Sequence, residues 1–301
     1  MPTFPQPAHS IDLVPRKQTF NFRDCPKIWN RDNSALTHLF NSTSFGITVL
    51  EDLFIKVSRE LLPDVKDDGI KKELRAFIGQ EAHHSHSHDH FNEFLSSHGY
   101  NVETYQKFIS SLFGTIDRIS SKKMRLAICI AAEHYTAMFS HYGLKHREAL
   151  LGGMPTEIAR LFEWHGVEEI EHKAVLYNLY ISQYGEDGKD TLNSYATRIA
   201  ALLISSALIG FYYSVAIPSL MLKDKRLFSA KDWFGFAKQM FVKPGLFRIG
   251  TPFYLSYFEF GFHPWQHDDS KMAKDYLDGV MNADLYEVLR KMHANVRPIA
   301  A

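Results

Sequence analysis

The chain has 301 residues, 45% hydrophobic and 23% charged, the composition of a globular protein and not of a disordered one. Its 34 basic and 34 acidic side chains cancel to zero net charge and form no basic stripe, which excludes nucleic acid as an expected partner. Two cysteines, Cys25 and Cys129, exclude a disulfide framework and fit a reducing cytosol, and the N-terminus lacks a secretory signal, so a cytoplasmic location is expected.

Residues 1–33 are proline-rich and read as an irregular arm packed on the surface. Residues 34–301 read as a single helical metal-binding domain, without a convincing alternating strand pattern. A first helix is expected from about 33 to 62, with an interruption considered near "NSTSFG", and stops at Pro63. A second starts at Asp67-Asp68 and ends near 97, before a glycine cap at Gly99. A short helix in "VETYQKFISSLFGTIDRI" connects to a third long helix, about 121–150. Pro155 is expected at the first position of a fourth, which runs to about 184. An apolar helix follows over about 191–222, then an aromatic-rich segment and an amphipathic helix over 269–296. Two helix hairpins joined by a longer crossover predict an all-α fold, a ferritin-like four-helix bundle with additional C-terminal helices.

The second helix carries Glu81-x-x-His84 and the fourth carries Glu169-x-x-His172, while the first and third supply single carboxylates, Glu51 and Glu133. That is the pattern of a di-metal carboxylate site. Residues three apart share a helix face, so each glutamate can bridge two cations while its histidine caps one. Depth agrees. Glu51 lies 12 residues before Pro63 and Glu81 lies 13 after Asp68. Both are therefore roughly 18–20 Å from the turn at 1.5 Å per residue. Glu133 lies 19 residues before Gly152 and His172 lies 17 after Pro155.

The run "GQEAHHSHSHDHFNEF" divides on the same geometry. With Glu81 at zero, His84 falls at about −60° and His88 at about −20°, whereas His83, His86 and His90 fall at about 200°, 140° and 180°. The first pair faces inward and the other three read as a solvated face. On the fourth helix His165, Glu169 and His172 lie within about 60° of one another, which makes His165 a further candidate ligand. Glu168 stands at the shoulder of that face as the rival of Glu169. His88, like His165, is open between ligand and outer partner, and Glu163, Glu168 and Glu171 read more readily as solvated or outer groups. Glu133 sits in the apolar run "RLAICIAAEHYTAMF", where a lone carboxylate would be costly without a partner or a metal. His134 points about 100° away and reads as structural or as an outer partner.

Gln80-Glu81-Ala82-x-His84, Trp164-His165, Glu168-Glu169-x-Glu171-His172-Lys173 and Phe262-His263-Pro264-Trp265 together resemble a bacterial family described as predicted metal-dependent hydrolases, over roughly residues 35–285. The His165-x-x-x-Glu169-x-x-His172 spacing is also similar, at motif level, to that of di-iron N-oxygenases such as the para-aminobenzoate oxygenase, which use an additional histidine on the fourth helix.

Mixed carboxylate and imidazole ligands, with no thiolate, suit iron or manganese. The leading expectation is therefore a non-haem di-iron oxidase or oxygenase that activates O2, with two iron ions, an electron donor and a small apolar substrate. Glu81 and Glu169 would bridge, Glu51 and Glu133 would be terminal ligands, and His84, His172 and His165 would supply nitrogen. The alternative is a dinuclear hydrolase using a metal-activated water, with manganese or zinc also suitable. Metal storage or sensing ranks third. The 24 residues from Ile199 to Leu222 carry no charge and are long enough to span a bilayer. They read either as a fifth helix covered on all sides or as a membrane-associated one. Oligomer formation stays open.

Overall fold

A computed structural model describes residues 4–9 and 11–280. Among them the regular structure is helical, apart from one isolated bridge between Glu186 and Lys189. Helix α1 (Ser34–Leu61) pairs with α2 (Asp68–Ser97) as the first hairpin. Helix α3 (Val102–Ile119) makes the crossover to α4 (Lys122–Lys145). The second hairpin closes through the short α5 (Arg147–Leu150) onto α6 (Thr156–His172) and α7 (Val175–Tyr184). The all-α bundle expected from the sequence is thus present.

Local chemistry explains the starts. Asn33, Asp67, Asn101 and Ser121 each accept a backbone N–H of the first turn that would otherwise lack a partner. Gly99, at φ 85°, ends the second helix in the left-handed region that glycine tolerates without cost. Four details differ from expectation. Helix α1 is uninterrupted through "NSTSFG". The third long helix stops at Lys145, because His146 adopts φ −121° and ψ 44°. The fourth breaks after His172, where Lys173 turns its ammonium to the Asp269 carboxylate and the His267 carbonyl. Pro155 stands one position earlier than expected, as the N-cap of α6.

Helix α8 (Leu192–Lys223) begins with a capping box between Thr191 and Ser194 and packs on α1, α3 and α4. Helices α9 (Ala230–Phe241) and α10 (Leu246–Ser256) then return along α1 and α4, and α11 (Ser270–Asp275) rests on α6. The expected amphipathic helix over 269–296 is described only as far as residue 280; its remainder lies outside the described residues.

The apolar interior is divided. One cluster joins Phe54, Leu61, Leu74, Phe77, Leu126 and Tyr180; the other joins Trp29, Phe40, Phe91, Tyr142, Ile158 and Trp164. On each of α1, α2 and α4, and along α6–α7, the two sets flank the middle of the bundle. That middle is where the candidate ligands lie.

Candidate metal centre

Four helices bring the seven leading candidates into one buried cluster. Glu51 comes from α1, Glu81 and His84 from α2, Glu133 from α4, and His165, Glu169 and His172 from α6; none exceeds 4% exposure. Three groupings hold their ligand-type atoms within 4.8 Å of one another: Glu51 with His84 and His165, Glu81 with Glu133 and His172, and Glu81 with His84 and Glu169. The first two define separate positions, and the third joins them.

The two motif glutamates face both positions. Glu81 turns Oε1 toward His172 Nε2 at 3.2 Å and Oε2 toward His84 Nδ1 at 3.8 Å. Glu169 turns Oε1 toward His165 Nε2 at 2.7 Å and Oε2 toward His172 Nε2 at 3.5 Å, where Oε2 also accepts from the Thr136 hydroxyl. Glu51 lies 3.7 Å from His165 Nε2, and Glu133 lies 3.5 Å from His172 Nε2.

Each imidazole has one nitrogen toward the cluster and the other bonded away from it. His84 Nε2 meets Glu168 at 3.1 Å, His172 Nδ1 meets the Gln80 side-chain oxygen at 3.1 Å, and His165 Nδ1 meets His88 Nε2 at 2.9 Å. This is how metal-binding histidines are oriented, with an outer partner fixing the tautomer. Aromatic packing holds the rings as well: Trp164 stands edge-on to His84 and Phe77 edge-on to His172.

His88 and Glu168, also candidate ligands in the sequence, each bond another candidate's imidazole on its outer nitrogen. His88 continues from His165 to the Ser44 hydroxyl at 2.9 Å, and Ser44 donates to Asn92. Glu168 accepts from Trp164 and Arg16 besides His84. Glu171 and Glu163, read as solvated or outer groups, are both buried: Glu171 is held by Arg16 and Gln80, Glu163 by Arg147. His134 donates from Nε2 to the Phe253 carbonyl and ties α4 to α10. His86 and His90 are exposed and His83 is half-buried, in keeping with an outward face.

Sequence reasoning missed Arg16, Ser44, Asn92 and Thr136, and gave Gln80 no role. Gln80 had a signal in its place beside Glu81. Arg16 had none, because it reaches the centre from the irregular arm, more than 150 residues from its carboxylate partners in the chain.

Both carboxylate oxygens of Glu51, Glu81 and Glu133, together with His84 Nδ1 and His172 Nε2, lack any hydrogen-bond partner. A buried acceptor without a partner costs about 1–3 kcal/mol, and more when charged. So many in one place suit cations. The ionisation states carry the same strain. Burial, then the neighbouring carboxylates, hold Glu51 and Glu133 well above the usual carboxylate range. Burial also opposes ionisation of Glu169, but His172 and the bond from His165 outweigh it and hold that carboxyl well below. His165 is pushed down to about 4 by burial and by His84. Burial opposes protonation of His84, yet the neighbouring Glu168 and Glu81 carboxylates raise it well above the ordinary imidazole value. The protein alone thus satisfies part of its charge with protons, which cations would displace. Oxygen and nitrogen donors from rigid helices, with unpartnered atoms converging on two positions, fit a pair of metal ions.

Residues 14–268 match the family described as predicted metal-dependent hydrolases, and the chain belongs to that family. The match begins within the N-terminal arm, two residues before Arg16. No curated protein and no solved structure matches the chain.

Proposed function

We propose that this member of the predicted metal-dependent hydrolases is a dinuclear hydrolase whose two metal positions are the groupings around Glu51 and Glu133. The observation that carries the reading is the convergence of unpartnered carboxylate and imidazole atoms between two apolar clusters. Glu51, His84 and His165 would hold one cation, Glu133 and His172 the other, and Glu81 and Glu169 would serve both. A bound pair of divalent cations supplies Lewis acidity and lowers the pKa of water to near neutrality. The chain's own residues do the rest. With cations bound, Glu168, Gln80 and His88 would hold the remaining proton of each imidazole on its outer nitrogen and leave the inner one to the metal. Thr136 orients Glu169. The flanking apolar clusters exclude bulk water, which strengthens each electrostatic contact.

A small cavity of about 10 Å³, room for roughly one water, lies against α4 and α10. Ile130, Ala137, Phe253 and Phe262 line it, along with His134, Lys173 and His267. Its polar groups are already engaged, His134 with the Phe253 carbonyl, Lys173 with Asp269 and His267 with Ser256, so it is not assigned to the substrate.

Dioxygen activation by two irons is the second reading, and the observation behind it is the donor set, carboxylates and imidazoles of the kind that suit iron. The oxidoreductase expectation has no support from the family match, which favours hydrolysis. One experiment separates them. The purified protein is assayed for metal content, for hydrolysis of a panel of ester and amide substrates, and for an O2-dependent absorption change after anaerobic reduction. Zinc- or manganese-dependent hydrolysis without an oxygen response supports the first reading. Two irons with an oxygen response and no hydrolysis overturns it.

A further inference from the structure

The surface formed by α9, α10 and the outer side of α8 is apolar where a soluble surface is ordinarily polar. Helix α9 turns Lys231, Phe234, Lys238 and Phe241 outward, at i, i+3, i+7 and i+10, while Asp232 and Met240 are buried on its other side. Phe234 is 75% exposed, and Phe228, just before the helix, is 92% exposed. Helix α10 turns Phe247, Thr251 and Leu255 outward. Phe241 stacks on Phe247 with ring centres 5.2 Å apart, so the two faces are continuous. Tyr254 of α10 bonds Ser206 of α8 at 3.3 Å, which sets the α8 face beside them. There Leu203, Phe211 and Val215 are exposed within a stretch free of charge.

Apart from Asp32, which pairs with Lys231 and Arg226, and Glu259 past the end of α10, the exposed charge around these side chains is basic. Lys225, Lys238, Lys243 and Arg248 are exposed and take part in no ion pair among the described residues. The acidic residues between 223 and 248 are Asp224 and Asp232, and both turn inward: Asp224 to His38, Tyr100 and Lys27, Asp232 to Arg226. The chain as a whole has no net charge, so this basic rim is local. Exposed phenylalanines alternating with lysines on one helix face are the pattern of an element lying in a membrane interface.

We propose that this face docks the protein onto the surface of an anionic bilayer, with α8 in the plane of the membrane and not across it. The orientation follows from α8's inner side. Leu202, Tyr212, Ile217 and Leu220 are buried against the bundle, and Arg198 is buried in an ion pair with Asp190 and in bonds to the Tyr257 and Glu259 carbonyls. A spanning helix would have to surrender those contacts. An in-plane helix keeps them and covers its exposed half with lipid. Of the two sequence expectations, cover on all sides fails among the described residues, because the outer side of α8 is exposed, and membrane association is the one carried into this proposal.

The test is flotation of the full chain with vesicles of phosphatidylcholine alone, or of phosphatidylcholine mixed with phosphatidylglycerol, at low and high salt. Binding is expected to the mixed vesicles, weakened by salt. Lys238→Glu with Lys243→Glu, and separately Phe234→Ser with Phe247→Ser, should each reduce binding by at least about tenfold. These positions are exposed, so unchanged circular dichroism and metal content confirm that the fold survives. Absence of binding to either vesicle, or undiminished binding by both variants, overturns the proposal. So does a lipid-free dimer that Phe247→Ser converts to monomer, which would assign the face to a second copy. A fluorophore attached to the Phe234→Cys variant gives a further arm, since Cys25 and Cys129 are buried. An apolar emission already present in the lipid-free monomer would assign the face to the chain's own C-terminal segment; a shift seen only with vesicles supports docking.

Discussion

The two hairpins carry one motif and furnish it differently. In α1–α2, Glu81-x-x-His84 faces Glu51; in α4–α6, Glu169-x-x-His172 faces Glu133. Helix α6 then adds His165, which joins Glu51 and His84 and gives that position two imidazoles against one at Glu133. The outer supports differ too. His84 bonds a carboxylate, Glu168, whereas His172 bonds a neutral amide, Gln80. A carboxylate makes an imidazole a stronger donor than an amide does. The motif places donors, and the groups behind it make the two positions unequal.

The largest expected effect removes the element the two positions share. Glu81→Ala should abolish stoichiometric metal binding, because its two oxygens face different histidines. Elemental analysis of the purified variant reads this directly. One metal retained per chain would show that Glu81 serves a single position, and the symmetry of the two motifs would fail. The next effect separates the positions. His172→Ala should take the metal content from two to one, since His172 is the imidazole nearest Glu133. His165→Ala should leave both metals bound, with the Glu51 position weakened, because His84 and Glu51 remain. Equal losses in the two variants would remove the asymmetry.

A smaller effect is expected one layer out. Glu168→Gln should weaken metal at the Glu51 position by about 10–100-fold, the usual range for an outer partner, and Gln80→Ala should weaken the Glu133 position by less than that. Competition with a chelator of known affinity measures both. If the amide proves the more important support, the ranking of the two outer groups is reversed.

How much of this the sequence discloses depends on distance along the chain. Glu81-x-x-His84 and Glu169-x-x-His172 are legible because three residues on a helix return to one face, whatever the helix packs against. Glu51 and Glu133 are legible because equal depths in a hairpin follow from the rise per residue. The breaks at His146 and Lys173 are not: Lys173 leaves the helix through contacts with residues 267–269, nearly a hundred positions away. His88 and Glu168 have the right phase or nearly so, and only the third dimension shows that His165 and His84 stand between them and the centre. Phase says which way a side chain leaves a helix, and it does not say how many others stand in front of it.

Arg16 is the extreme case, and it links the two unequal positions. Its Nη1 donates to Glu168 at 3.1 Å and to Glu171 at 2.8 Å. Glu168 supports His84, and Glu171 accepts from Gln80 at 2.6 Å, whose oxygen in turn meets His172. One guanidinium on the arm therefore stands behind both positions, while the third chain, from His165 through His88 to Ser44 and Asn92, ends inside the bundle without it. Arg16→Ala should weaken both positions, each by roughly tenfold or less, because Trp164 still donates to Glu168 and the Gln80–His172 contact stays in place. Arg16→Lys should restore only part of the loss: a single nitrogen, Nη1, reaches both carboxylates, and the lysine ammonium ends a bond short of it. Two-step metal titrations of the three proteins decide it. A loss confined to one position would mean that the arm supports a single hairpin, and the two chains of bonds would then have to be treated as independent.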